Sequence, residues 1–257
     1  MTNDSLVFED HDSVLWIRIN RPKALNALND DVLKGLNDAL DFAEGQTRVN
    51  AVVVTGTGRA FCAGADLVVI HDHGTADTFL KRLNTTLNRL ECFPKPVVAM
   101  VNGLALAGGL ELILCCDVVL AARSAAFGDG HARYGLLPGG GASVRLPRIV
   151  GLNRAKYLFF SGETMPAEAF VSSGLVHQVV DDDQLLAATA ALVAKIAQKS
   201  PLGLRRMKSL ANESLEQTLE VALRREIEAG RQHQTSHDMQ EGLAAFKGKR
   251  APRFTGC

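Results

Sequence analysis

Little in this 257-residue chain points outward to a partner. Its charges cancel, with 28 Lys and Arg against 28 Asp and Glu. That balance argues against a surface built for nucleic acid. No apolar run approaches the roughly 20 residues needed to cross a bilayer, so no membrane contact is expected. The start, Met1-Thr2-Asn3-Asp4-Ser5, lacks the basic-then-apolar order of a secretory signal. The five cysteines, Cys62, Cys92, Cys115, Cys116 and Cys257, are odd in number and follow no ligand spacing. Neither a disulfide framework nor a metal site is therefore indicated, and a reducing, cytoplasmic setting is expected. Adjacent Cys115-Cys116 sits in an apolar segment and reads as core, since a free cysteine behaves as a small hydrophobe. No internal repeat is measurable. The length fits one large domain, or one domain with an appendage.

What is present is an alternation of strand and helix signals. Val14-Leu15-Trp16-Ile17-Arg18-Ile19 reads as a strand that runs into the turn Asn20-Arg21-Pro22-Lys23. Asn29 can cap a helix, with Asp30 and Asp31 favourable in its first turn. Val32, Leu33, Leu36, Leu40 and Ala43 hold one apolar stripe, and Gly45 ends it. Ala51 to Thr55 is a buried strand leading into a Gly-rich loop, residues 56–67. Phe79, Leu80, Leu83, Leu87 and Leu90 mark another helix, stopped before Pro94. Pro96 to Met100 and Asp117 to Ala122 are further strands. Thr164 to Glu168 looks like a helix start, and Leu175 to Val180 like a last strand. From Asp183 onward only helices are expected: Leu185 to Lys199, Leu202 to Asn212, and Leu215 to about Phe246. Ser200-Pro201 breaks the first two. The fold class is α/β. The division expected is a core over residues 1–195 and a helical region over 196–257. Such a tail either drives self-association or caps the body's own core.

One stretch concentrates the chemistry: Val101-Asn102-Gly103-Leu104-Ala105-Leu106-Ala107-Gly108-Gly109-Leu110-Glu111. It follows a buried strand, turns at Asn102-Gly103, and opens a helix at Gly108-Gly109. Amides at a helix start have no partner inside the helix and can face an anion. Glu111 stands in that first turn. An amide aimed at a developing oxyanion, with a carboxylate beside it, suits chemistry on a carbonyl. The same residues also admit a purely structural account, in which the glycines allow close packing and Glu111 complements the helix dipole.

Gly56-Thr57-Gly58 does not extend to a dinucleotide fingerprint, because the third glycine and the later acid are missing. Two other segments match a known pattern better. Ala60-Phe61-Cys62-Ala63-Gly64-Ala65-Asp66-Leu67, and Asn102-Gly103 through Gly108-Gly109-Leu110-Glu111, strongly resemble the two signatures of the crotonase superfamily, the enoyl-CoA hydratases and isomerases. The resemblance continues in order through Asn26-Ala27-Leu28-Asn29, Cys116-Asp117-Val118, Phe127-Gly128, Gly135-Leu136-Leu137-Pro138-Gly139-Gly140-Gly141, Arg145-Leu146-Pro147 and Gly151. It implies a spiral of ββα units with a C-terminal helical region that builds trimers, often paired into hexamers. It implies an acyl-CoA thioester as ligand and no metal or redox cofactor, since coenzyme A enters with the substrate. It places the amides of Ala65 and Gly108 on the thioester oxygen. It sets Lys23, Ala24, Leu25, Ala63, Asp66 and Leu67 around the coenzyme A arm, with Phe246 and Lys249 reaching the nucleotide, often across a subunit boundary. Lys23 and Lys249 also fit an ordinary solvated surface.

The chain departs from the pattern at one place. Hydratases of this family usually carry two glutamates across the substrate double bond. Glu111 falls on the first, and His131 falls where the second is expected, in Phe127-Gly128-Asp129-Gly130-His131-Ala132-Arg133-Tyr134-Gly135. Imidazole, with a pKa of roughly 6.5, can serve as acid or base near neutrality. Glu111 and His131 are therefore expected to add water to an enoyl thioester. The alternatives are hydrolysis of a β-dicarbonyl or thioester bond, isomerisation by Glu111 alone, or acyl-CoA binding without turnover. If residues 129–133 are extended, Asp129, His131 and Arg133 share a face and Asp129 orients the imidazole; a turn there removes that argument. The remaining histidines, among them His71 and His73, read as surface or structural.

Overall fold

The computed structural model describes residues 4–71 and 76–257. The readings of Met1 to Asn3 and of Asp72 to Gly74 lie outside them. The chain opens with an antiparallel hairpin, β1 (Leu6–His11) and β2 (Val14–Ile19), paired from Leu6 with Ile19 to His11 with Val14. Its two-residue turn is Asp12-Ser13, both at positive φ, the geometry that matches strand twist. Helix α1 (Asp30–Gly45) is capped by Asn29, whose side chain accepts from the amide of Val32. Val32, Leu33, Leu36, Leu40 and Ala43 are buried, as their spacing predicts.

Three units of one kind follow. Each runs from a strand of a large sheet to a short strand of a second sheet and then to a helix. The first is β3 (Ala51–Gly56), β4 (Ala60–Cys62), then α2 (Leu67–His71) and α3 (Ala76–Glu91). The second is β5 (Val97–Val101), β6 (Leu104–Leu106) and α4 (Gly108–Leu114). The third is β7 (Val118–Ala122), β8 (Ala126–Gly128), then α5 (Ala142–Val150) and α6 (Leu152–Ser161). The strand β9 (Thr164–Pro166) pairs antiparallel with β8, and β10 (Gln178–Val180) pairs parallel with β7. The large sheet has the order β1-β2-β3-β5-β7-β10, and the small one β4-β6-β8-β9. This is the expected spiral of ββα turns. Every residue of β3 and β5 is buried, which explains their unbroken apolar runs: parallel strands are covered on both faces.

Two side chains staple the turns of the spiral. Buried Asn26 accepts from the amide of Arg21 and donates to the carbonyls of Thr57 and Ala60. Asn102 accepts from the amide of Gly56 and donates to the carbonyl of Gly58. The turn signal at Asn102 is thus also a brace between the first two units.

The helical end consists of α7 (Leu185–Ala197), α8 (Pro201–Ser214), α9 (Leu219–His233) and α10 (His237–Lys247). Ser200 caps α8 by accepting from the amide of Gly203. The single helix expected from Leu215 to Phe246 is two helices. Ser236 accepts from the amide of Met239 and starts α10 afresh. Thr164 to Glu168 is likewise not a helix start but strand β9, followed by a short 3₁₀ turn, Ala167–Phe170. Asp238, fully buried, accepts from Ser200 Oγ and from the amides of Thr255 and Gly256, and so pins the chain's last residues. Among the described residues no helix is long and apolar enough to cross a membrane. Nor does any group of three or more His, Cys, Asp and Glu among them stand where it could hold a metal ion.

Candidate active site

The strands β4, β6 and β8 are neighbours and run parallel. Their carboxyl ends therefore lie on one edge, and the three segments that leave them stand side by side. Those segments are Ala63-Gly64-Ala65, Ala107-Gly108 with Glu111, and Asp129-Gly130-His131. All of these but Asp129 border a cavity of about 530 Å³, lined further by Leu25, Leu67, Ile70, Leu80, Leu83, Leu106, Arg133, Tyr134, Leu136 and Leu137.

The first segment is fixed through Leu28. The amide of Leu28 donates to the Gly64 carbonyl at 2.8 Å, and the amide of Asp66 donates to the Leu28 carbonyl at 2.8 Å. In such a parallel bridge the N–H of the middle residue, Ala65, points away from the partner strand. Gly108 stands on that side: a Cβ there would lie 3.1 Å from the Ala65 nitrogen. The second segment joins sheet to helix with no linker. Ala107 donates its N–H to the Gly128 carbonyl, continuing the sheet, while its carbonyl accepts from Glu111 N and starts α4. Serving both ladders puts Ala107 at φ 46°, ψ −113°, a conformation that side chains disfavour by about 1–3 kcal/mol. Next to it, Gly109 packs directly on β4, since a Cβ there would sit 1.9 Å from the Cys62 carbonyl oxygen. Neither the Ala65 amide nor the Gly108 amide has a hydrogen-bond partner among the described residues.

Glu111 is 1% exposed. Its Oε1 accepts from the amides of Gly140 at 2.8 Å and Ala142 at 3.1 Å. Burial pushes its pKa up; the Ala142 and Gly140 amides and His131 oppose the rise, and Asp129 adds to it. The Gly140 loop is itself held by Arg145, which donates to the Gly140 carbonyl and pairs with Glu91.

His131 does not sit on a strand. Gly130, at φ 71°, turns the chain into a short 3₁₀ helix, His131–Tyr134, so the shared-face argument for Asp129, His131 and Arg133 fails. The pairing arises another way: the turn folds the imidazole back, with Nδ1 2.9 Å from Asp129 Oδ2. Arg133 instead runs its stem toward Gly162, whose Cβ, if present, would lie 3.0 Å from Arg133 Cγ. Burial lowers the His131 pKa, but the hydrogen bond and charge of Asp129, with Glu111, outweigh it and hold the imidazole above its ordinary value.

Of the residues singled out from the sequence, Ala65, Gly108, Glu111, His131, Leu25, Ala63 and Leu67 meet at this cavity. Lys23, Ala24 and Asp66 lie beside it without lining it. The Asp66 carboxylate is engaged by Arg21 at 2.9 Å and by the Val68 amide. Phe246 stands at the end of α10, 86% exposed, and Lys249 lies just beyond the helix. His71 ends α2 and is not part of the lining. The Gly140 and Ala142 amides, Arg145 and the walls Leu80 and Leu83 belong to the site without being marked as site residues by the sequence. For the two amides the run Gly139-Gly140-Gly141 is the signal; Leu80 and Leu83 show only as a helix stripe, and Arg145 only as a motif position.

A family model described as enoyl-CoA hydratase/isomerase matches residues 9–257. The chain is 38% identical to a 2,3-dehydroadipyl-CoA hydratase of Escherichia coli over 98% of each chain. It is 34% identical to a crotonyl-CoA hydratase of Syntrophomonas wolfei over 99% of each. The crystal structure of an enoyl-CoA hydratase from Bacillus anthracis superposes with a TM-score of 0.94 at 33% identity, covering 98% of this chain and 100% of that one. Together with the ββα spiral and the two signature segments at its cavity, these matches show that the chain belongs to the enoyl-CoA hydratase/isomerase family of the crotonase superfamily.

Proposed function

We propose that the protein is an enoyl-CoA hydratase, a lyase that adds water across the double bond of a 2-enoyl-CoA thioester. The observation that carries this reading is the pair of unpartnered amides, Ala65 and Gly108, beside the buried Glu111 carboxylate on one cavity wall. Attack of water at the β-carbon sends negative charge to the thioester oxygen. Two N–H groups aimed at that oxygen stabilise the charge where it develops, and loss of one such donor typically costs about 3–4 kcal/mol of barrier. Glu111 and His131 are the acid/base groups at the reacting carbons. Nothing in this chemistry calls for a metal or redox cofactor.

In this reading Lys23, Ala24, Leu25, Ala63, Asp66 and Leu67 surround the coenzyme A arm. Asp66 contributes through the shape of its loop, because its carboxylate is taken up by Arg21. The wall of leucines and Ile70 beyond the amides suits an aliphatic acyl chain. Phe246 and Lys249 would serve the nucleotide of a neighbouring subunit. Self-association into a trimer, or a pair of trimers, is supported by α9, where Leu219, Leu223 and Ile227 make an exposed stripe at four-residue spacing.

The test is incubation with 2-butenoyl-CoA and longer enoyl esters in heavy-oxygen water, with products identified by mass. The expected product is 3-hydroxyacyl-CoA with label at the β-carbon. A shifted double bond without label would make the protein an isomerase. Labelled free acid would make it a thioester hydrolase, and tight binding without turnover a binding protein.

A further inference from the structure

We propose that Asp129 is a positioning residue for His131: its buried carboxylate grips the imidazole at Nδ1, so that Nε2 and the proton it carries face the acyl-CoA cavity. The inference rests on the hydratase reading above and adds to it a group outside both family signatures.

The carboxylate holds the histidine at two points. Oδ2 takes the ring at 2.9 Å, and Oδ1 accepts from the His131 backbone amide at 3.2 Å. Asp129 is 1% exposed, and no Lys or Arg among the described residues pairs with it. Its countercharge is therefore the imidazole, and a proton shared that way fixes both tautomer and ring orientation. The mount is stiff. Asp129 follows directly on β8, whose last residue, Gly128, accepts from the amide of Ala107, next to Gly108. The dyad and the Gly108 donor are thus set on adjoining strand ends. The charged groups facing His131 are Asp129 and Glu111, with Arg133 on its own turn. Glu111 is faced by His131 and Asp129, with Arg145 and the thiols of Cys62 and Cys115 nearby. The raised pKa of His131 accords with this geometry.

The proton inventory closes. Nε2–H gives its proton to the α-carbon, the hydroxyl of water bonds to the β-carbon, and the second proton of water goes to Glu111. Neutral His131 then regains a proton from solvent as Glu111 releases one. Asp129 keeps its carboxylate throughout.

The experiment compares the pH dependence of kcat/KM for 2-butenoyl-CoA hydration in wild type, Asp129→Asn, Asp129→Glu, His131→Gln and the double variant Asp129→Asn/His131→Gln. The imidazole is titrated in parallel by ¹⁵N-histidine NMR. In Asp129→Asn the basic limb is expected to fall by about one pH unit, and kcat at pH 8 by about tenfold to a hundredfold, with KM steady. Asp129→Glu should restore part of the limb. The double variant should be no slower than His131→Gln alone, because Asp129 acts through the imidazole. An unmoved basic limb in Asp129→Asn, or a further loss in the double variant, overturns the proposal. If Asp129→Asn does not fold, the limb and the NMR titration of the uncharged Asp129→Ser decide: an imidazole pKa the same as wild type overturns it. Should the wild type hydrate no enoyl ester, the hydratase reading fails, while the NMR titration still judges Asp129 separately.

Discussion

Gly140 is the position where a single methyl group should separate catalysis from binding. A Cβ on Gly140 would lie 2.5 Å from Glu111 Oε2, 2.7 Å from Leu87 Cδ1 and 2.9 Å from Glu111 Cδ. The shortest of these is about 1 Å inside ordinary contact. Leu87 is fully buried on α3 and has no room to retreat. The carboxylate must therefore swing away, loosening its bonds from the Gly140 and Ala142 amides, or the loop held by Arg145 must shift. A displacement of about 1 Å at a reacting group costs about 100-fold in rate, equivalent to about 2.7 kcal/mol of barrier. Overpacking of this kind destabilises by about 1–3 kcal/mol. Gly140→Ala should hence lower kcat about 100-fold with KM within about threefold, since the amides of Ala65 and Gly108 stay in place. The assay is loss of the conjugated enoyl-thioester absorbance, with a thermal melt alongside. Gly45→Ala is the control: nothing lies within 4 Å of its Cβ and its φ is ordinary. A folded Gly140→Ala protein with kcat within about threefold of wild type would refute the placement of Glu111 at the reaction centre.

Three further outcomes are expected. Glu111→Gln should abolish turnover while leaving enoyl-CoA affinity nearly intact by calorimetry; an undiminished rate removes Glu111 from the mechanism. The same variant should melt at or above the wild-type temperature at pH 8, because burial raises the Glu111 pKa, so the folded state loses stability as pH rises through that value. A larger fall in Tm from pH 5 to pH 8 in wild type than in Glu111→Gln, measured by calorimetry, would identify this residue as a source, since His131, with its raised pKa, lowers stability over the same span in both. His131→Ala should be slow and His131→Glu should recover part of the hydration rate, though buried Asp129 opposes a second carboxylate there; equal rates in all three forms would make His131 a bystander.

Parts of this structure were plain in the sequence because a period or a cap marks them. Asn29 and the stripe from Val32 to Ala43 gave α1, and the continuous apolar runs gave β3 and β5. The hairpin strand β1 is hidden in the sequence because its turn is Asp12-Ser13, not an Asn-Gly type. The strands β6, β8 and β9 are three residues each, too short to show a period. Helices α5 and α6 meet at Gly151, and α5 contains Pro147, so two residues that ordinarily break a helix hide both. In the site, Ala65, Gly108, Glu111 and His131 were visible through motif order. The Gly140 and Ala142 amides were not, because a main-chain donor has no side-chain signature. Asp129 reaches His131 through a turn and not along a strand, since the two-residue period of a strand does not survive Gly130 in the left-handed region.

The three parallel strand ends also explain how one catalytic group can change while the rest of the site stays. Ala65 follows β4 and is fixed by Leu28. Gly108 follows β6 and is fixed by α4. His131 follows β8 and is fixed by Asp129. Each group takes its position from its own strand end and its own brace, and the link between them is the sheet ladder, which is independent of side chains. An imidazole can then stand where the family resemblance leads one to expect a carboxyl, because neither amide depends on residue 131 for its placement. The requirement falls on the neighbour instead. A neutral imidazole swinging freely would be a poor proton carrier, and a buried aspartate two residues before it supplies both aim and charge. The pairing makes the two positions interdependent: replacing His131 by glutamate while Asp129 remains sets two carboxylates against each other in a buried site, whereas replacing both, His131→Glu with Asp129→Asn, removes the conflict. The double variant should therefore hydrate 2-butenoyl-CoA faster than His131→Glu alone, although Asp129→Asn by itself is slower than wild type. That reversal of sign is the mark of a pair acting as one unit, and the same sign in both backgrounds would show that Asp129 serves the fold alone.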